Sequence, residues 1–170
     1  MRSAYSVEGG EKMKRDRYTE YATAAFRDYA ASRLTAAERA EQLYEQNIKN
    51  AAEHIGIGAP KNNVGAAISY AEEAKADYAA YIADMEAVEK TLDYLKSHNK
   101  QYIIFALKNI YMTDPKSRIT PRIIGQRVRW VATKSYCDTR TVYKWLKQAR
   151  RLFAEFRGLN PGEVVYKFGQ

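Results

Sequence analysis

Between Val64 and Leu95 apolar side chains recur every seven residues, and no other feature constrains the fold as strongly. Val64, Ala71, Tyr78, Met85 and Leu92 form one series, and Ala67, Ala74, Tyr81, Val88 and Leu95 form the second. As a and d positions these span more than four heptads, which predicts one long helix from 64 to about 97 with a buried seam. Glu72, Glu73, Asp77, Asp84, Glu86, Glu89 and Asp93 occupy the other faces, where solvated acids keep such a helix soluble. Its partner is either the preceding helix folded back as a hairpin or the same helix of a second subunit. Both bury the same stripe, so a homodimer through residues 64–97 stays open at this point.

The flanking segments read as helices too. Residues 1–10 end in Glu8-Gly9-Gly10 and read as a flexible lead-in, followed by a helical region over 11–97. Its first helix carries Tyr18, Tyr21, Ala25 and Tyr29 at helical spacing. Thr35 and Glu38 then have capping-box spacing ahead of a second helix that runs to about Ile55. Residues 56–63 concentrate Gly, Pro and Asn and predict a turn. Ser97-His98-Asn99 interrupts the long helix, and a short helix follows with Tyr102, Ile103, Phe105, Ala106, Ile110 and Tyr111. The expected fold class is therefore all-α: a helical hairpin or coiled-coil region, a helix-turn-helix domain over 98–158, and a tail over 159–170.

Charge separates these parts. From Asn99 onward there are 15 Lys and Arg against 4 Asp and Glu, whereas residues 1–98 carry 13 against 16. A strongly basic segment beside a near-neutral one suits contact with a phosphate backbone, where released counterions supply much of the affinity. With one cysteine, Cys137, and two histidines, His54 and His98, no intrachain disulfide and no metal-ligand spacing can be written. No carboxylate pair stands beside a candidate nucleophile, so neither an enzyme nor a cofactor is expected. No run approaches the roughly 20 apolar residues of a membrane span, and the N-terminus lacks a secretory apolar core, so a cytoplasmic protein is expected.

Residues 121–157 hold the functional expectation. Thr120-Pro121 opens a helix with a cap and a proline at its first position, and Ile123, Ile124, Val128, Val131 and Ala132 mark its inner face. A turn around 134–138 follows, after which Asp138 caps a second helix running to about Phe156. Val142, Trp145, Leu146, Ala149, Leu152, Phe153 and Phe156 face inward, and Arg140, Tyr143, Lys144, Lys147 and Arg151 face outward. A helix with one packed face and one basic face can enter a major groove. Thr139, Arg140, Tyr143, Lys144 and Lys147 are the expected base contacts. Arg118, Arg122, Arg127, Arg129, Lys134 and Arg151 are the expected phosphate contacts.

The run Asp138-Thr139-Arg140-Thr141-Val142-Tyr143-Lys144-Trp145, with Ala149-Arg150-Arg151-Leu152-Phe153-Ala154-Glu155 after it, resembles the C-terminal helix of the ArpU and RinA families of phage late-gene regulators. Their layout is similar as well: helical segment, turn, long helix, then a helix-turn-helix like region four of bacterial sigma factors. The resemblance implies a regulator of phage or prophage late genes that binds double-stranded DNA and acts through RNA polymerase. Val131-Ala132 matches the family's Ile-Ala pair, but Ser135 stands where those proteins carry leucine. Two other readings fit the same layout: a packaging component like a small terminase subunit, and a helical interaction protein with a basic tail. A ring of about eight or more subunits would mark the first, and absence of DNA binding the second.

Overall fold

The computed structural model describes residues 5–55 and 63–159, with side chains over 19–53 and 64–159. The described residues form an all-α fold of six helices: α1 (Tyr5–Ser32), α2 (Ala36–Ile55), α3 (Asn63–Ser97), α4 (Gln101–Ile110), α5 (Pro121–Lys134) and α6 (Thr139–Arg157). Most of the predicted turn at 56–63 and almost all of the tail lie outside them. So do the first four residues of the expected lead-in. From Tyr5, however, the backbone is already helical. Gly9 and Gly10 each weaken a helix by about 1 kcal/mol relative to alanine, yet unlike proline they keep their N–H donors and do not end it.

The partner of the heptad seam is α2. Ala36 N donates to Glu89 Oε1 (2.8 Å) and the Tyr44 hydroxyl to Glu72 Oε1 (2.9 Å), so rising numbers on α2 meet falling numbers on α3 and the two are antiparallel. Small residues let them approach closely: Ala36, Ala51, Ala67 and Ala71 are all buried. Val64 is the exception in the seam, lying exposed in the first turn of α3. At about 1.5 Å per residue, α3 is roughly 52 Å long; α2 lies along it as far as Glu89, and Ala87, Val88 and Leu95 near its end enter the main core.

That core is continuous through α1, α3, α4, α5 and α6. Phe26, Val88, Leu95, Ile103, Leu107, Ile110, Val128, Val131, Val142, Leu146 and Phe153 are fully buried within it. Helix ends are fixed by local chemistry. Thr35 and Glu38 close the expected capping box, with Glu38 N on Thr35 Oγ1 (3.2 Å) and Thr35 N on Glu38 Oε2 (2.8 Å). Asn99 stops α3 in the left-handed region (φ 56°), which Asn tolerates better than most residues. Lys100 N then returns to Leu95 O (2.8 Å).

Two acids of α3 do more than solvate a face. The Asp84 carboxylate accepts from the Tyr21 hydroxyl (2.7 Å) and from Arg157 Nε (2.5 Å), joining α1, α3 and α6. Glu89 accepts from Tyr29 (3.3 Å) as well as from Ala36 N. Burial first, and then the neighbouring carboxylates, push both tyrosines up to about 12. An unfolded tyrosine ionises near 10, so between pH 10 and 12 the unfolded chain binds fewer protons than the folded one. The stabilisation is therefore whole below pH 10 and declines as pH rises towards 12. Urea midpoints taken at pH 9, 10 and 11 should fall, and fall less in the Tyr21→Phe, Tyr29→Phe double variant.

Candidate nucleic-acid interface

Both helices of the C-terminal pair start at side-chain caps. Thr120 Oγ1 accepts from Ile123 N (3.3 Å) with Pro121 in the first turn, and Asp138 Oδ1 accepts from Thr141 N (2.7 Å). The bonds to Thr141 hold the Asp138 carboxyl below the usual carboxylate range. Between them residues 135–138 make the turn, with Ser135 N on Val131 O (2.9 Å) and Cys137 N on Ala132 O (3.1 Å). Gly158 ends α6 in the left-handed region (φ 72°), and Leu159 N closes back on Ala154 O (2.8 Å).

The inner face of α6 is a strict stripe. Val142, Leu146, Ala149 and Phe153 are buried. At 100° per residue Arg140, Lys144, Lys147 and Arg151 fall within an arc of roughly 60° on the opposite face, and they span about 16 Å along the axis. All four are exposed, as are Thr139 and Tyr143. None of the four is in an ion pair among the described residues, where the two salt bridges are Lys75 with Glu72 and Arg157 with Asp84. Arg122, Gln126, Arg129 and Thr133 make a second exposed stripe on α5. Arg118 is exposed in the loop before it, and Lys134 lies 5.7 Å from the Trp130 ring centre at its end.

Several side chains stand elsewhere than the sequence suggests. Arg127, grouped with the phosphate contacts, is half-buried, and its Nη1 donates to Ile110 O (2.9 Å) and Thr113 O (3.3 Å) at the C-terminal end of α4. A guanidinium satisfies those carbonyls and the negative end of the helix dipole together. Arg150 similarly donates to the Tyr111 hydroxyl (2.6 Å). Trp145 is half-buried at the edge of the core, 4.9 Å from the Tyr102 ring. Phe156 is 37% exposed and leans on Tyr94. At the position where the resembled families carry leucine, Ser135 is half-buried, and it is Cys137 that packs on the core. Burial, then Asp138, pushes the Cys137 thiol up, which suits its packing as a small apolar side chain.

Sequence reasoning missed two residues. Arg27 is buried in α1 yet binds four carbonyls of the loop before α5: Tyr111 (3.3 Å), Asp114 (3.3 Å), Pro115 (2.9 Å) and Ser117. Burial, followed by repulsion from Arg127, lowers its pKa. Tyr136 occupies the turn itself with a left-handed backbone and a fully solvated ring. Neither has a signal in the local sequence, because one acts across 84 to 90 residues and the other is defined by its backbone. No family model, curated protein or solved structure matches this chain, so its functional reading rests on these residues.

Proposed function

We propose that the chain is a sequence-specific double-stranded DNA-binding regulator, with α6 as its recognition helix. The observation that carries this reading is the ridge Arg140, Lys144, Lys147 and Arg151, four exposed cations without ion pairs among the described residues, on a helix whose opposite face buries Val142, Leu146, Ala149 and Phe153 in the core. Cations that only keep a surface soluble are usually interspersed with acids. Here Asp138 and Glu155 are the only acids from 121 to 157, and Asp138 is engaged as a cap. Thr139, Arg140, Tyr143, Lys144 and Lys147 read bases in this assignment. Arg118, Arg122, Arg129, Lys134 and Arg151 hold phosphates, and Arg127 holds the α4 end instead. Action at phage or prophage late promoters in the cytoplasm, through RNA polymerase, is the extension that the family resemblance supports.

The test is a binding titration on a duplex selected from a random pool and on a scrambled duplex, each at several salt concentrations. Five phosphates neutralised per subunit predict that log affinity falls against log salt with a slope of about −4 to −5. Arg140→Ala should cost about 1 to 3 kcal/mol on the selected duplex and less on the scrambled one. Arg129→Ala should weaken both duplexes about equally and reduce the slope by about one. Failure of the native protein to bind either duplex at low salt overturns the reading.

A further inference from the structure

Tyr136 combines two unfavourable features with nothing visible to offset them. Its φ is 53°, in the left-handed region, where a β-carbon crowds the backbone and glycine or asparagine is the ordinary occupant. Its side chain is 98% exposed, so the ring lies in water and gains no packing. The side chain does not hold the turn either. That is done by backbone bonds from Ser135, Tyr136 and Cys137 to Val131, Thr133 and Ala132, by Cys137 against the core, and by the Asp138 cap. Other left-handed positions are accounted for differently: Asn99 and Asp114 are residue types that tolerate the conformation, Gly158 has no β-carbon, and Arg33 presents a charged chain suited to water. A single exposed ring is ordinary, but a left-handed backbone at a bulky residue is an outlier, and such outliers cluster where a side chain serves binding.

Its place indicates what that is. Tyr136 stands two residues after Lys134 and four before Arg140, beside the N-terminal end of α6, where a recognition helix meets the duplex. Resting on the DNA-binding reading above, we propose that Tyr136 is a further duplex contact: its phenol O–H donates to a phosphate oxygen flanking the bases met by Arg140, and its ring packs on the adjoining sugar. Such a contact adds affinity without reading sequence. Tyrosine carries its donor at the end of a rigid ring; glycine has none, and asparagine holds its own closer to the backbone.

The experiment compares the native protein with Tyr136→Gly, Tyr136→Phe and Arg140→Ala in thermal melting and in titrations on the selected and scrambled duplexes. Tyr136→Gly should melt at or slightly above the native temperature, because relief of the left-handed strain opposes the extra freedom of the unfolded chain. Its affinity for both duplexes should fall about tenfold, the loss expected for a hydrogen bond to a charged group, and Tyr136→Phe should show most of that loss. A glycine variant that bound as tightly as the native protein while Arg140→Ala did not would overturn the proposal and leave the regulator reading standing. So would a glycine variant that melted several degrees lower, which would make the ring part of the fold, or a phenylalanine variant of full affinity, which would remove the phosphate bond. A native protein that bound neither duplex would overturn both.

Discussion

Truncating Phe153 to alanine should cost about 3 to 5 kcal/mol of stability, a large share of the roughly 5 to 15 kcal/mol that holds a domain of this size. The ring is completely buried on the inner face of α6, with the Phe26 ring 5.8 Å away and Tyr21 6.0 Å away on α1. Phe26 stacks in turn on Tyr111, 6.2 Å away just beyond α4. Removing Phe153 leaves a cavity that cannot collapse easily, because Arg157 is tied to Asp84 one turn further along and Tyr21 donates to the same carboxylate. Urea unfolding of the variant measures the cost. Phe156→Ala provides the contrast: that ring is partly solvated and touches Tyr94 at the rim, so its removal should cost about 1 kcal/mol or less. A loss below 1 kcal/mol at Phe153 would mean that α6 does not dock as described. The outward cations are not touched by the change, so DNA affinity corrected for the folded fraction should stay near native.

Phe153 and Phe156 lie on the same inward stripe of α6 in the sequence, and only the fold separates the buried ring from the one at the rim. Caps were legible because they are local: Thr35 with Glu38, Thr120 with Ile123 and Asp138 with Thr141 all act within three residues. The heptad seam of α3 was legible as a buried stripe, yet its partner was not, since a stripe at seven-residue spacing is the same whether α2 or another subunit covers it. Cations were the least legible. Arg127 and Arg129 are two residues apart on α5 and look alike in the sequence, but at 100° per residue they point to different neighbours. One meets the carbonyls ending α4 and the other meets water. The acids of α3 look equally solvated in the sequence for the same reason, although Asp84 and Glu89 each receive two donors from other helices or their caps.

Replacing Arg27 with methionine should destabilise the protein by about 2 to 4 kcal/mol and weaken DNA binding beyond what that loss of folded protein explains. The side chain is 7% exposed and its guanidinium gathers the carbonyls of Tyr111, Asp114, Pro115 and Ser117. Hydrogen bonds to a charged donor are stronger than neutral ones, and a buried acceptor left without its partner carries a desolvation penalty of about 1 to 3 kcal/mol. Methionine keeps the aliphatic volume in α1 while removing every donor, which isolates the polar contribution from packing. Lysine at this position offers a single point of donation and cannot span four carbonyls, so Arg27→Lys should recover only part of the loss. The functional consequence follows from what those carbonyls belong to. The loop from 111 to 117 leads into exposed Arg118 and the Thr120 cap of α5, so α1 fixes where Arg118, a phosphate contact in the function proposed above, is presented. Hydrogen exchange in the methionine variant should accelerate at Tyr111, Met112 and Ser117, whose amides are bonded at this loop, more than in α6, and the salt slope of DNA binding should become shallower by up to about one as Arg118 loses its fixed position. Unchanged exchange in that loop together with native affinity would show that Arg27 merely fills space beneath it.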